Sequence, residues 1–195
     1  IRGAQESRGL GDVYKRQQFE RSEWINLNGT WTFQFDFGNS GKDRQLQSAE
    51  KFSKNITVPF CPESKLSGVE YTDFINQMWY QRKISIPTDW KGKKILLHFG
   101  AVDYQAEVFI DGQFIGRHIG GSSSFCMDLT RFAKAGNTHN LIVYVKDEQR
   151  SGLQTIGKQC NNFYSGGCSY TRVTGIWQTV WLEAVAPAGL KAAVT

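Results

Sequence analysis

The sequence has no run of about 18 apolar residues, the length a transmembrane helix requires. Its first residues contain no continuous apolar stretch, so no secretory signal is visible either. Positive charge is only slightly in excess. The 23 Lys and Arg against 18 Asp and Glu give a net charge of +5, and the basic residues are scattered. Nucleic-acid recognition needs a basic face or a recognisable motif. We therefore expect neither a nucleic acid nor a membrane as a partner.

Cysteine is scarce, with four residues in 195, and none shows the short spacing of a zinc site. We expect no metal. Cys160 and Cys168 lie in a polar loop and could pair in an oxidising compartment or stay free, whereas Cys61 and Cys126 are expected to be buried or free thiols. No Gly-rich stretch continues into the Lys and Ser/Thr of a phosphate loop, so we expect no cofactor.

The residues that are abundant favour β-structure: 20 Gly, 13 Phe, 7 Tyr and 6 Trp, with only 4 Pro. About nine short runs of apolar or alternating residues indicate strands, and no long helix is predicted. Asp111-Gly112 between two such runs predicts a tight hairpin. The pattern is typical of an all-β sandwich. The runs lie at residues 31–37, 56–59, 79–87, 93–99, 105–110, 113–116, 125–129, 140–145 and 176–185.

The two ends differ from the rest of the chain. Residues 1–20 have no apolar periodicity, and we expect a disordered tail. Within it, DVYKRQ at residues 12–17 resembles the translation of a transposon end used in sequencing-library preparation, although a natural tail is the alternative. Residues 187–195 read as a linker or the start of a truncated second β-sandwich. The predicted domain is 21–186, and the compartment, cytoplasm or periplasm, stays open because a sequence opened by such a scar lacks its natural N-terminus.

Several strings occur in an order that is itself informative. They are WINLNGTW at 24–31, VPF at 58–60, WYQR at 79–82, HFGAVDY at 98–104, DG at 111–112, GKQ at 157–159 and GIWQTVWLE at 175–183. Together they resemble the N-terminal sugar-binding domain of glycoside hydrolase family 2, which includes β-galactosidases, β-glucuronidases and β-mannosidases. The resemblance implies a jelly-roll β-sandwich of the galactose-binding type. In the family this domain is followed by an immunoglobulin-like sandwich and a TIM barrel with two catalytic glutamates.

The chain is too short to contain that barrel, which takes about 250 residues. We therefore expect no catalytic residue here, because the paired carboxylates of a retaining glycosidase come from the barrel in this family. The resemblance implies a non-catalytic domain fragment of a retaining exo-β-glycosidase of the galactosidase type. Its expected partners are a terminal β-glycoside and the missing domains of the same protein. The alternative is a free-standing carbohydrate-binding module, which a stop codon after Thr195 would indicate.

The long polar segment from Asp147 to Arg172 is the predicted functional loop, because 26 residues exceed what a sandwich connection needs. The resemblance places this loop at the rim of the sugar subsite and implies substrate-binding roles for Lys158, Gln159 and Arg172. Ser169 stands where galactosidase and glucuronidase relatives carry Asp, which leaves the sugar specificity open. We expect the Arg172 side chain to reach outward; the alternative is that these residues anchor the loop.

Other residues are assigned structural roles. One of Trp79 and Tyr80 is expected to fill the core, rather than to stack on a sugar. Asp103 is expected to accept hydrogen bonds from turn N–H groups. Trp177 and Trp181 are predicted to share one face of the last strand as core or interface residues.

Overall fold

The computed structural model of the protein describes residues 21–189, so the predicted tail at 1–20 and the last residues, 190–195, lie outside the described range. Twelve strands and four short 3-10 helices are present in that range. The strands are β1 Trp24–Asn26, β2 Gly29–Phe35, β3 Lys54–Val58, β4 Gln77–Ser85, β5 Lys94–Phe99, β6 Val102–Asp103, β7 Gln105–Ile110, β8 Gln113–Ile119, β9 Phe125–Asp128, β10 Thr138–Lys146, β11 Gly175–Ile176 and β12 Val180–Val185. The 3-10 helices are Leu46–Ser48, Lys65–Ser67, Thr88–Trp90 and Gln149–Ser151.

The strands form two main antiparallel sheets. One sheet has six strands in the order β3-β2-β4-β10-β7-β8, and the other has four in the order β1-β12-β5-β9. The short strands β6 and β11 pair separately at one end. The predicted all-β sandwich is confirmed.

The core lies between the two sheets and is built from alternate residues of both. Trp31 and Tyr80 meet edge to face there, with ring centroids 6.4 Å apart. Trp79, the neighbour of Tyr80 in β4, points to the outer face of the six-stranded sheet and is also fully buried. The prediction that one of these two residues fills the core is confirmed by Tyr80, and Trp79 is buried in a second, smaller apolar cluster. The segment between β2 and β3 covers the outer face, where Trp79 donates to an Asp36 carboxylate oxygen at 3.1 Å.

The Asp111-Gly112 hairpin is confirmed and joins β7 to β8. Both turn residues have positive φ, 48° and 80°, as a two-residue turn between twisted strands requires. The Asp111 carboxylate also accepts a hydrogen bond of 2.7 Å from the Asn140 backbone N–H, and this contact ties the hairpin to β10.

The predicted last strand, 176–185, is interrupted and forms β11 and β12. Val180 and Leu182 of β12 face the core, so Trp181 between them points to the opposite face. There its ring stacks on His98, with centroids 4.8 Å apart. Trp177 lies outside both strands and lines a cavity. The prediction that Trp177 and Trp181 share one face of a continuous strand is wrong, because the chain bends between them.

Cys61, Cys160 and Cys168 are free thiols in this structure, with Cys160 buried and Cys168 exposed. Over residues 21–189 no helix is long and apolar enough to cross a membrane. The same range contains no group of three or more His, Cys, Asp or Glu side chains that could hold a metal ion.

Candidate functional site

The long loop after β10 folds back on itself at one end of the sandwich. The 3-10 helix Gln149–Ser151 begins it, and a single parallel bridge joins Gln159 to Tyr170. The backbone N–H of Tyr170 donates to the carbonyl oxygen of Lys158 at 3.0 Å, and the backbone N–H of Cys160 donates to the carbonyl oxygen of Tyr170 at 2.9 Å. These bonds close residues 160–170 into an outer lobe.

Arg172 holds this lobe from inside. Its side chain is buried, and one guanidinium nitrogen donates to the carbonyl oxygens of Asn162 at 2.7 Å and Cys160 at 3.3 Å. The other terminal nitrogen donates to the carbonyl of Thr72. The guanidinium also lies 4.0 Å from the ring centroid of Phe74. The expectation of an outward-reaching Arg172 side chain is wrong, because its guanidinium donates inward to carbonyl oxygens of the loop and of residue 72.

Gln159 joins the loop to the sheet. Its amide nitrogen donates to the Asp103 carboxylate at 2.7 Å, and its amide oxygen accepts from the Val173 backbone at 2.7 Å and from the Gln149 side chain at 2.9 Å. Asp103, at the end of β6, is buried, with an exposed fraction of 5%. Its second oxygen, Oδ1, has no hydrogen-bond partner among the described residues. Asp103 thus bonds to a side chain of a distant loop, not to the turn N–H groups that the sequence predicts.

Burial is the main cause of an unusually high pKa at Asp103. Burial and then the neighbouring Asp147 charge raise its pKa to about 7. Burial also raises the pKa of Asp147, although that carboxylate accepts hydrogen bonds from Gln154 at 2.6 Å and Thr174 at 2.9 Å. Near neutral pH the Asp103 carboxyl therefore exists in both protonation states, and it can donate or accept a hydrogen bond.

A third buried carboxyl, Glu63, lies next to this group. It accepts a hydrogen bond from the Thr174 backbone at 3.2 Å, and burial raises its pKa to about 7. Its other oxygen has no partner within residues 21–189. Three buried carboxyls and the buried Arg172 therefore support the base of the loop.

A cavity of about 600 Å³ opens beside Asp103. The turn after β8 forms one wall, the loop forms another, and Trp177 closes the base with its indole N–H donating to the Gly121 carbonyl at 2.8 Å. No Lys, Arg or His of the described chain lines it. The lining residues are Asp103, Gly120, Gly121, Ser122, Ser123, Thr155, Ile156, Gly157, Gln159, Tyr170, Val173 and Trp177.

The structure brings only one of the four predicted site residues, Gln159, into this cavity. Lys158 is exposed and Ser169 is half-buried, and neither lines the cavity. Arg172 is buried beneath the lobe. The substrate-binding roles of all four residues remain predictions.

Sequence reasoning missed Tyr170 and Trp177 as cavity residues and gave Asp103 a turn role. A signal was available for Asp103. Apolar residues of short strands precede and follow it, and a carboxylate in that position is expected to be buried. For Tyr170 the sequence offers no such signal, because it lies in the irregular loop, and Trp177 reads as part of the predicted strand 176–185, which the structure interrupts after residue 176.

The long loop also carries apolar side chains that are exposed to solvent. Tyr164 is 81% exposed and Tyr170 52% exposed, and Phe163 and Leu153 are exposed as well. An apolar group of this kind on a loop is a common feature of a contact surface.

Comparison with known proteins agrees with the β-sandwich fold. Residues 24–185 match the family model of the glycosyl hydrolases family 2 sugar binding domain. The chain is 28% identical over 166 residues to a β-galactosidase of Thermoanaerobacter pseudethanolicus, covering 83% of this chain and 20% of that protein. It is 29% identical over 144 residues to a β-glucuronidase of Bacteroides fragilis, covering 73% and 19%.

The fold is also found in solved structures. The crystal structure of Ruminococcus gnavus β-glucuronidase superposes with a TM-score of 0.67 at 23% sequence identity, covering 86% of this chain and 29% of that one. The chain thus spans about a fifth of the length of these curated relatives. With the family model matched over nearly all of the described sandwich, the chain belongs to the sugar-binding domain of the glycosyl hydrolases family 2.

Proposed function

We propose that this domain is a non-catalytic part of a retaining exo-β-glycosidase of the galactosidase type. The observation that carries the proposal is the family match over residues 24–185, together with relatives of which the aligned segment covers only about a fifth. The rest of such a protein would supply an immunoglobulin-like sandwich and a catalytic TIM barrel. The barrel would provide the two carboxylates that retaining hydrolysis needs about 5–5.5 Å apart.

In this proposal the loop from Asp147 to Arg172 contacts the barrel and borders its sugar subsite. The exposed Tyr164 and Leu153 support a contact surface on the loop. Lys158 and Ser169 are the predicted residues whose side chains are accessible for a rim contact, whereas the buried Arg172 orders the loop on which they stand.

Activity measurements test this proposal. The reading frame that contains this chain is expressed at full length and assayed with chromogenic β-galactoside, β-glucuronide and β-mannoside. We expect turnover by that protein and none by the 195-residue chain. Activity that copurifies with the 195-residue chain, or a full-length product without any glycosidase activity, would contradict the proposal. A reading frame that stops after Thr195 would support the free-standing carbohydrate-binding module instead.

The rim contact is tested by Lys158→Ala in the full-length enzyme. Loss of one charged hydrogen bond to a sugar is expected to lower kcat/KM roughly tenfold or more. Lys91→Ala, which removes another exposed Lys that lies outside the loop, is the matched control and should leave kcat/KM unchanged.

A further inference from the structure

The turn between β8 and β9, residues 120–124, covers a buried carboxyl oxygen. Asp103 Oδ1 has no hydrogen-bond partner among the described residues. A Cβ atom at Gly121 would lie 2.4 Å from this oxygen, so the backbone of the turn packs directly on it. The turn also forms a wall of the adjoining cavity, and it therefore separates Oδ1 from the cavity.

This cover suits a neutral carboxyl better than an ionised one. With the proton on Oδ1, the other oxygen still accepts the hydrogen bond of 2.7 Å from Gln159, and no charge is buried. An ionised Asp103 places negative charge on an oxygen that has neither water nor a donor, which is costly. The charge of Asp147 adds repulsion, and burial together with this charge raises the pKa of Asp103 to about 7.

The surroundings of Asp103 supply no compensating positive charge. The buried Arg172 guanidinium acts on Asp147, whereas no cation within residues 21–189 lowers the pKa of Asp103. Lys146, at the end of β10, is paired with Glu148 at 3.2 Å. The titratable or charged groups that face Asp103, Asp147 or the turn are those of Glu63, Arg172, His118, Tyr104 and Tyr170.

On its other side Asp103 is held firmly by Gln159. The amide oxygen of Gln159 accepts from the Val173 backbone at 2.7 Å and from Gln149 at 2.9 Å, which fixes its amide nitrogen toward Asp103. Ionisation of Asp103 strengthens this bond, because a charged acceptor forms a stronger hydrogen bond. Gln159 is therefore expected to stay in place when Asp103 loses its proton.

The turn is held more lightly. It consists of two glycines and three serines, so no apolar side chain anchors it in the core. The backbone N–H of Gly120 donates to the Tyr104 carbonyl at 3.0 Å, and the Gly121 carbonyl accepts from the Trp177 indole at 2.8 Å. A segment with few buried contacts opens at a lower free energy than the core does.

We propose that this turn is a proton-controlled flap, which closes over Asp103 when the carboxyl is protonated and lifts when it ionises. Lifting brings water to Oδ1, breaks the contact between Trp177 and Gly121, and adds a charged acceptor to the cavity wall. The flap goes beyond the proposed function, because it concerns the shape and charge of the cavity and not the reaction.

Nuclear Overhauser contacts between the Trp177 indole ring and the Hα protons of Gly121 test the flap in the 195-residue chain. These protons do not exchange with water, so the contacts can be followed from about pH 5 to about pH 8. We expect their intensity to fall at least about twofold, with a midpoint near the pKa of about 7 of Asp103. Contacts between the core rings of Trp31 and Tyr80 are the internal reference. Unchanged Trp177 contacts over this range would overturn the proposal.

Two variants identify the group that controls the flap. Asp103→Asn keeps the shape of the side chain but cannot ionise, so the Trp177 contacts should persist at both pH values. His118→Gln removes the other titratable group that contacts the turn, a ring 3.1 Å from the Ser123 hydroxyl, and the response to pH should remain. A response that survives in Asp103→Asn or disappears in His118→Gln would overturn the proposal.

The amide spectrum shows whether each variant is folded. If Asp103→Asn does not fold, the titration of the parent chain and of His118→Gln still decides whether the turn lifts and whether His118 is the cause. No turnover is measured, so a negative result overturns the flap and leaves the proposed function to the activity assays.

Discussion

The side chain of Gln159 donates a hydrogen bond of 2.7 Å to the carboxylate of Asp103, across 56 residues of sequence. This contact joins the long loop to the short strand β6 at the edge of the sandwich. The other carboxylate oxygen is buried and has no hydrogen-bond partner among the described residues. The loop is therefore positioned by buried polar contacts, since most of its own side chains are exposed.

Replacing Arg172 by Ala is expected to destabilise the domain by about 3 kcal/mol. The change removes charged donors from the carbonyls of Asn162 and Thr72 and leaves these groups without their partner. Urea unfolding followed by tryptophan fluorescence measures the effect. Arg150→Ala is the control, because Arg150 also lies 4.0 Å from the Phe74 ring centroid but is exposed. Equal losses from the two variants would show that the Phe74 contact, and not the buried hydrogen bonds, carries the energy.

Replacing Gly121 by Ala is expected to destabilise the domain by about 1–3 kcal/mol. A Cβ at this position would lie 2.4 Å from Oδ1 of Asp103, so the carboxylate or the turn must move. Gly166→Ala is the matched control, since a Cβ there has no neighbour within 4 Å. Thermal unfolding compares the two, and a Gly121 variant as stable as the Gly166 variant would contradict the close packing of this turn on Asp103.

The domain is expected to lose stability as the pH rises from about 4 to about 7. The folded pKa values of Asp103 and Glu63 are about 7, above their ordinary values of 3.8 and 4.5. The folded state therefore holds more protons than the unfolded state in this interval, and each carboxyl stabilises the folded state less as it ionises. Urea midpoints at about pH 5 and about pH 8 measure the slope.

A double variant isolates the contribution of these two carboxyls. Asp103→Asn combined with Glu63→Gln removes both titrating groups, so the difference between the two pH values should shrink. Asp147, whose pKa burial also raises, remains in this variant and supplies a background slope. An unchanged difference would mean that the two carboxyls titrate normally in the folded domain.

Trp31→Ala is expected to cost about 3–5 kcal/mol of stability, because it empties a large site in the main core. The variant also removes the indole donor that bonds to the Leu27 carbonyl at 2.7 Å. Phe114→Ala, at an aromatic side chain that is 55% exposed, is the control and should cost under about 1 kcal/mol. Chemical denaturation of both variants checks the difference, and a Trp31 variant with the parent's midpoint would place this indole outside the core.

The sequence by itself determined the features that depend on local pattern. Alternation in segments such as 31–37 and 105–110 predicted strands, and Asp111-Gly112 predicted the hairpin because that turn needs positive φ at both residues. The ordered strings of the resemblance predicted the family and the β-sandwich. These inferences need only a few neighbouring residues at a time, which is why the printed sequence carries them.

Only the tertiary structure decided which distant residues meet. Arg172 turns inward because carbonyls from residues 72, 160 and 162 converge on it, and no local pattern encodes that convergence. Trp177 leaves the face that simple alternation would give it, because the chain bends between β11 and β12. The cavity beside Asp103 likewise requires a strand, a turn and a loop that are separate in sequence. Long-range packing selects such contacts, and side-chain periodicity within one segment does not.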